Sequence, residues 1–314
     1  MNLRTTLLLA LILLVLAGVA TVMEKNRKQA RAPRTEALFP GFNIDAVDAL
    51  EISSGNIKVE LVKEADIWIV SSENSKPASV DLVRNILDKV DGLEGSGLVS
   101  NKAANHSVYE VDATGVEVKL TENGVPSAWF IVGKPGPDYM SSYIRLHDED
   151  ETYRVPVYLR PDVDRGGRTW RDQTILSVER ANIASYTYTP DEERSVTVEQ
   201  DEAGTWTVTA PENRAVQQQI LDIVLSSLTD IRASGFADSV DVATAGLESP
   251  TRVLEIRARD GSAHVLEIGA ENEQRQSYTR LQGEETIYLV PIGRWNTIFR
   301  KLDEIAPAPV GAGN

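Results

Sequence analysis

Between Ala49 and Val70 apolar and polar side chains alternate in three short runs, Ala49–Ser53, Ile57–Val62 and Asp66–Val70, which is the period of half-buried strands. Pro77 then precedes a different period. Val80, Val83, Ile86, Leu87 and Val90 fall on one face of a predicted helix that Gly92 stops. A Gly/Ser-rich stretch, Gly92–Gly97, leads out. Alternation returns at Val116–Thr121, turns at Asn123-Gly124 and runs back through Ala128–Val132, a predicted hairpin. Gly133 opens a loop through Lys134-Pro135-Gly136-Pro137, and Ser142–Pro156 reads as a further hairpin.

The same order then recurs. Ile183–Tyr188, Ser195–Glu199 and Thr205–Thr209 are predicted strands, with Trp206 in the part of Trp68. Pro211 precedes a helix faced by Val216, Ile220, Leu221, Val224 and Leu228, and Arg252–Ala258 and His264–Ile268 flank the turn Asp260-Gly261. Ser277–Pro291 (SYTRLQGEETIYLVP) repeats Ser142–Pro156 (SYIRLHDEDETYRVP) about 135 residues later, with both tyrosines, the Arg, the Leu and the closing Val-Pro retained. Strands, helix and strands in each pass predict an α+β fold: two tandem repeats, each an antiparallel sheet with one packed helix. The join falls within Val157–Leu176, where Trp170-Arg171-Asp172 opens the second unit. Arg294–Ile305 reads as a closing amphipathic helix, and Ala306–Asn314 as a flexible tail.

Thr5–Met23 breaks this pattern, with no charge and an almost wholly apolar composition. As a helix it spans about 28 Å, close to the thickness of a bilayer core, which favours a retained transmembrane anchor. Cleavage after Ala20 is the alternative, since Gly18 and Ala20 are small enough for a signal site. Lys25, Arg27, Lys28, Arg31 and Arg34 follow the segment, and counted literally they place the body in the cytoplasm. Long domains translocate with weak regard to such charges, and the segment sits where an export signal sits, so an extracytoplasmic body is expected. The expected organisation is therefore an anchor over residues 1–24, a basic linker over 25–37, repeats over 38–165 and 166–305, and a tail over 306–314.

Composition adds exclusions. The 314 residues contain no cysteine, which removes disulfides, thiolate metal sites and a cysteine nucleophile together. The formal charge is −15, and beyond Arg34 the chain is more acidic still, so a nucleic-acid partner is not expected.

The entry LFPGFNIDAVDALEI, the Trp-x-Val strand run after it, WRDQTILSVERANIASY at mid-chain and the Gly…SYxRL…YxVP ending of each half together resemble the bacterial family called domain of unknown function 4340. The resemblance runs from Leu38 to Ile305 and takes in the anchor. It implies a single-pass envelope protein, often encoded beside ABC-transporter and gliding-type auxiliary components, with no established activity and no catalytic residues to carry over.

Candidate chemistry is sparse. His106, His147 and His264 lie on separate segments, none with a second histidine at helical spacing to complete a metal-ligand pair. His147 adjoins Asp148–Glu151, read as a solvated hairpin tip, and the loop Asp162-Val163-Asp164-Arg165-Gly166-Gly167 lacks the terminal Glu of a calcium loop. Tyr143 with Arg145, and Tyr278 with Arg280, stand two apart on predicted strands and so share a face. They are the candidate binding residues, one recognition patch per repeat, against a reading in which Tyr packs the sheet and Arg covers it. Trp68 and Trp206 are expected core anchors. No metal and no cofactor are expected. These readings give a non-enzymatic, membrane-anchored interaction module in the bacterial inner membrane with a periplasmic body. Its expected partners are the lipid bilayer, through residues 5–23, and an envelope membrane protein or transporter component. The alternative is an envelope glycan-binding protein or an acidic-residue hydrolase. A partner strand clamped along an exposed sheet edge is one mechanism for the first reading.

Overall fold

A computed structural model describes residues 37–189 and 194–308. Contacts divide it into two units, the boundary falling between Asp172 and Gln173. In the first, β1 (Val47–Ser54), β2 (Ile57–Glu64), β3 (Ile67–Val70) and β4 (Lys76–Pro77) are followed by helix α1 (Val80–Val90). Then come β5 (Gly97–Ser100), β6 (Val116–Glu122), β7 (Val125–Pro135), β8 (Ser142–Leu146) and β9 (Thr152–Val155). They form one sheet in the order β4-β3-β2-β1-β6-β7-β8-β9-β5, with every pairing antiparallel.

The second unit has two extra strands, β10 (Thr174–Ser177) and β15 (Asp230–Arg232), which pair only with each other. Its main sheet uses β11 (Ile183–Tyr188), β12 (Val196–Gln200), β13 (Trp206–Ala210), β14 (Arg214–Ala215) and β16 (Gly235–Phe236). It is completed by β17 (Arg252–Ala258), β18 (Ala263–Glu271), β19 (Gln276–Leu281) and β20 (Tyr288–Pro291). Their order, β14-β13-β12-β11-β17-β18-β19-β20-β16, is that of the first sheet strand for strand. The expected antiparallel α+β architecture is present in both units.

Each sheet buries one face against its helix. In α1 the four buried side chains are Val83, Ile86, Leu87 and Val90, and Ser79 caps the helix by accepting the amide of Leu82. Gln218–Leu228, here α2, buries Leu221, Val224, Leu225 and Leu228 in the second unit. The two cores are filled differently at two register positions. Leu50 and Ile52 of β1 pair with Leu61 and Val59 of β2, whereas Tyr186 and Tyr188 of β11 pair with Val198 and Val196 of β12. All eight are buried, so on the β12 side the larger rings of the second unit stand opposite valines.

Four expectations change. The second repeat does not open at Gly166, because Trp170 is fully buried in the first core and its carbonyl accepts the amide of Ser79. Arg171 bridges Ala78, and Asp172 N–H donates to Pro77 O, so these residues close the first unit. The closing helix is broken into Ile292–Ile298 and Leu302–Ile305, and Ala306, expected in the tail, is buried. The Gly92–Gly97 exit ends in a strand, since Gly97–Ser100 forms the sheet's outer edge. The expected anchor, Thr5–Met23, and nearly all of the basic linker lie outside the described residues. Among the described residues, no helix is long and apolar enough to cross a membrane.

Candidate functional site

Alternation along β8 sends Ile144 into the core and leaves Tyr143 and Arg145 half-buried on the opposite face of the sheet. There they are covered by the segment that leads into β6, which carries a 3-10 turn at Ala103–Asn105 and one α-helical turn at His106–Tyr109. The Tyr143 ring lies 4.8 Å from that of Tyr109 in this segment. Arg145 donates from Nε to Val111 O at 2.9 Å, and from one terminal nitrogen to the carbonyls of Leu146, His147 and Glu149 at 3.3, 2.8 and 3.1 Å. One planar guanidinium thus ties the covering segment to the turn after β8, a task suited to its fixed fork of donors.

The second unit repeats the device. Tyr278 packs with Val240, Val242, Leu247 and Ile287 in a small cluster beneath its own covering segment. Arg280 donates to Leu247 O at 3.5 Å and to Glu267 Oε2 at 2.5 and 2.9 Å. Leu247 occupies the place of Val111: Val111 N–H donates to His106 O, and Leu247 N–H to Val242 O. Two glycines let these segments lie down on the sheet. A Cβ on Gly133 would sit 2.2 Å from Tyr109 O, and one on Gly269 2.0 Å from Ala245 O. The structure therefore brings each Tyr and Arg together on one face as the spacing predicts, and engages them in holding a covering segment.

What the repeats do not share is a cluster on the first sheet. Trp129 donates its indole N–H to Glu117 Oε1 at 2.7 Å, and the His147 ring stacks on Trp129 with centroids 3.4 Å apart and planes 12° apart. His147 Nδ1 lies 2.9 Å from the same Glu117 oxygen, without hydrogen-bond alignment. Lys119 sits over the Trp129 ring at 5.5 Å and pairs with Glu51 at 2.7 Å. The expectation of a solvated tip at His147 is thus corrected. Asp148 beside it is exposed, but the imidazole is half-buried against Trp129 because the turn carries it back over the sheet. The missed signal is the period-two register of Glu117, Lys119 and Trp129 on neighbouring strands. In the second unit Gln282 replaces His147, and its amide reaches Glu267.

The remaining polar candidates have structural partners. Asp162 accepts from Asn85 and Lys89 of α1 at 3.0 and 2.5 Å, which occupies both oxygens of the calcium-like loop's first carboxylate. His106 Nε2 contacts Asp150 O at 2.9 Å, and His264 lies on β18. Among the described residues no three His, Asp or Glu side chains gather to hold a metal. The carboxyls of Asp112, Asp138 and Asp260 are held below the ordinary value by the hydroxyls and amides of Thr114, Ser141 and Ser262, and that of Asp241 by the Thr244 amide and hydroxyl. Asp222 is lowered by Arg180. These displacements run opposite to what a general acid needs, and all but that of Asp222 belong to turns. Trp68 is buried, while Trp206 is half-buried against Tyr186.

Among the described residues, neither the sheet edges nor the cavity beside β18 enlarges the site. The outermost strands Lys76–Pro77, Gly97–Ser100, Arg214–Ala215 and Gly235–Phe236 are two to four residues long, and one contains proline. Such edges are poor templates for an added strand. A cavity of about 180 Å³ in the second unit, lined by Thr251, Ile268, Gly269, Ala270, Ser277 and Ile292 among others, is smaller than the roughly 300 Å³ at which small-molecule pockets begin.

Comparison with known families returns one description, domain of unknown function (DUF4340), matched over residues 68–250 and again over 206–306. The first match begins at Trp68 and the second at Trp206, the same strand position in the two sheets. Among curated proteins none matches.

Proposed function

The chain belongs to the DUF4340 family, and we propose that it is a non-enzymatic interaction module held at the bacterial inner membrane by residues 5–23. Its body faces the periplasm and serves as an accessory to an ABC-transporter or gliding-type envelope complex. The observation that carries this reading is the duplication and what the two copies have in common. Tyr143/Tyr278, Arg145/Arg280 and Gly133/Gly269 do the same mechanical work in each sheet. Conserving a scaffold while its surfaces diverge is the economy of a binding module, in which a rigid sheet positions different contacts. The apolar Thr5–Met23 segment supports the membrane location, and the family's association with transporter components supports the class of partner.

Crosslinking in intact cells, followed by purification of the full chain from detergent-solubilised membranes, tests the proposal. An envelope membrane protein recovered stoichiometrically is the expected result. Recovery of the chain in the soluble fraction, or from membranes without a partner in every growth state, overturns it.

A further inference from the structure

The turn between β7 and β8 differs from its counterpart between β18 and β19 in a way the fold does not require. In the second unit Asn272 N–H donates to Gln276 O, Arg275 N–H donates to Asn272 O, and Arg275 takes a left-handed backbone at φ 58°. In the first, Gly136 N–H donates to Ser141 O, Tyr139 N–H donates to Gly136 O, and Tyr139 is left-handed at φ 55°. The first turn is one residue longer, and the added residue is Met140. Tyr139 and Met140 are 74% and 76% exposed, the two most exposed of the large apolar side chains among the described residues. The positions matching Tyr139 and its neighbours in the second unit are Gln274, Arg275 and Gln276, so a polar tip folds equally well there.

Two features fit this tip to an apolar phase. Three of its donors are closed on the tip itself: Asp138 Oδ1 accepts the amides of Met140 and Ser141 and the Ser141 hydroxyl at 3.1, 3.0 and 2.5 Å. Backbone groups already paired are what entry into a water-poor layer demands. Finally, the tip lies at one end of β8 and the acidic turn Asp148–Glu151 at the other, so the end carrying Tyr139 is turned away from the most acidic loop of the sheet.

We propose that Tyr139 and Met140 seat in the headgroup layer of the bilayer, as a second foot beside the anchor. This rests on the reading that residues 5–23 span that bilayer. Met23 and Ala37 are separated by about 13 residues, a reach of at most about 50 Å, so the membrane surface is within range of the body. Two side chains are far too small a contact for a free protein partner, which buries roughly 1,200 Å² or more in all. Tethering makes the second contact intramolecular, and there two side chains suffice to orient a body. Tyrosine is a residue of membrane interfaces for the same amphipathic reason.

The cysteine-free chain gives a clean test. Full-length Met140→Cys, Gln274→Cys and Ala10→Cys variants, each labelled with an environment-sensitive fluorophore, are reconstituted into phosphatidylethanolamine/phosphatidylglycerol vesicles containing headgroup-proximal spin-labelled lipid. Thermal unfolding of each labelled variant is compared with that of the parent chain. The expected result is severalfold quenching at position 140 over position 274, reduced when Tyr139→Gln is added. Quenching at position 10 without quenching at position 140 leaves the anchor standing and overturns the second foot. Shielding of position 140 from aqueous iodide without lipid quenching assigns the tip to a protein and also overturns it. No quenching at position 10 removes the anchor reading and this proposal with it.

Discussion

Trp295 donates its indole N–H to the hydroxyl of Ser277 at 2.7 Å, both side chains being buried in the second unit. Ser142, the first residue of the same repeated stretch in the first unit, accepts the amide of Leu159 at 2.9 Å, again buried. The serine that opens each copy thus anchors the chain that leaves it.

Removing that hydroxyl leaves a buried donor unpaired. Ser277→Ala and Ser142→Ala are each expected to cost about 1–3 kcal/mol, the penalty of an unsatisfied buried donor. Denaturant unfolding of the two variants and the parent checks this. Equal midpoints would show that water replaces the serine.

Gly133→Ala and Gly269→Ala test the close approach of the covering segments. Neither glycine needs a left-handed backbone, so the expected loss is purely steric, about 1–3 kcal/mol of overpacking. Hydrogen exchange should rise in residues 103–112 for the first and 241–247 for the second, with the core strands unchanged.

Arg145→Lys keeps the charge and removes the fork that reaches Val111, His147 and Glu149. The expected outcome is a destabilisation of about 1–3 kcal/mol from carbonyls left unpaired, with loosened exchange at residues 146–149. A surface patch residue would tolerate the exchange without change in stability.

Burial pushes the phenols of Tyr186 and Tyr188 well above their ordinary value near 10. Folding therefore favours the protonated rings, and their contribution is complete below pH about 10 and lost as pH rises beyond it. The second unit should soften under alkali, followed by phenolate absorbance and near-ultraviolet dichroism. Tyr186→Phe removes a hydroxyl without a hydrogen-bond partner and should blunt this loss at little cost near neutrality.

Periodicity carried most of the fold into view. Alternation marked the long strands, the 3.6-residue stripe of Val83, Ile86, Leu87 and Val90 marked the helix, and the repeated Tyr, Arg and Val-Pro marked the duplication. Three features were hidden for physical reasons. Gly97–Ser100 is too short for a period and is a strand only because Thr152–Val155 pairs with it. The covering segment over Arg145 has only single helical turns, too short to show a period, so the target of Arg145 is invisible until Val111 is placed. His147 looked solvated among four carboxylates because a turn's direction is not written in its composition. The shared face of each Tyr and Arg was legible from spacing alone, whereas their role as fasteners was not.

The strand order also dictates a sequence of events during synthesis. Gly97–Ser100 is made early but has no neighbour until Thr152–Val155 emerges, and Gly235–Phe236 waits in the same way for Tyr288–Pro291. Each unit can close only when its final hairpin, the repeated stretch, has left the ribosome. The first is whole once Trp170-Arg171-Asp172 have followed, while the second is still being made, so the order of synthesis keeps two sheets of identical order from competing unfinished for each other's strands.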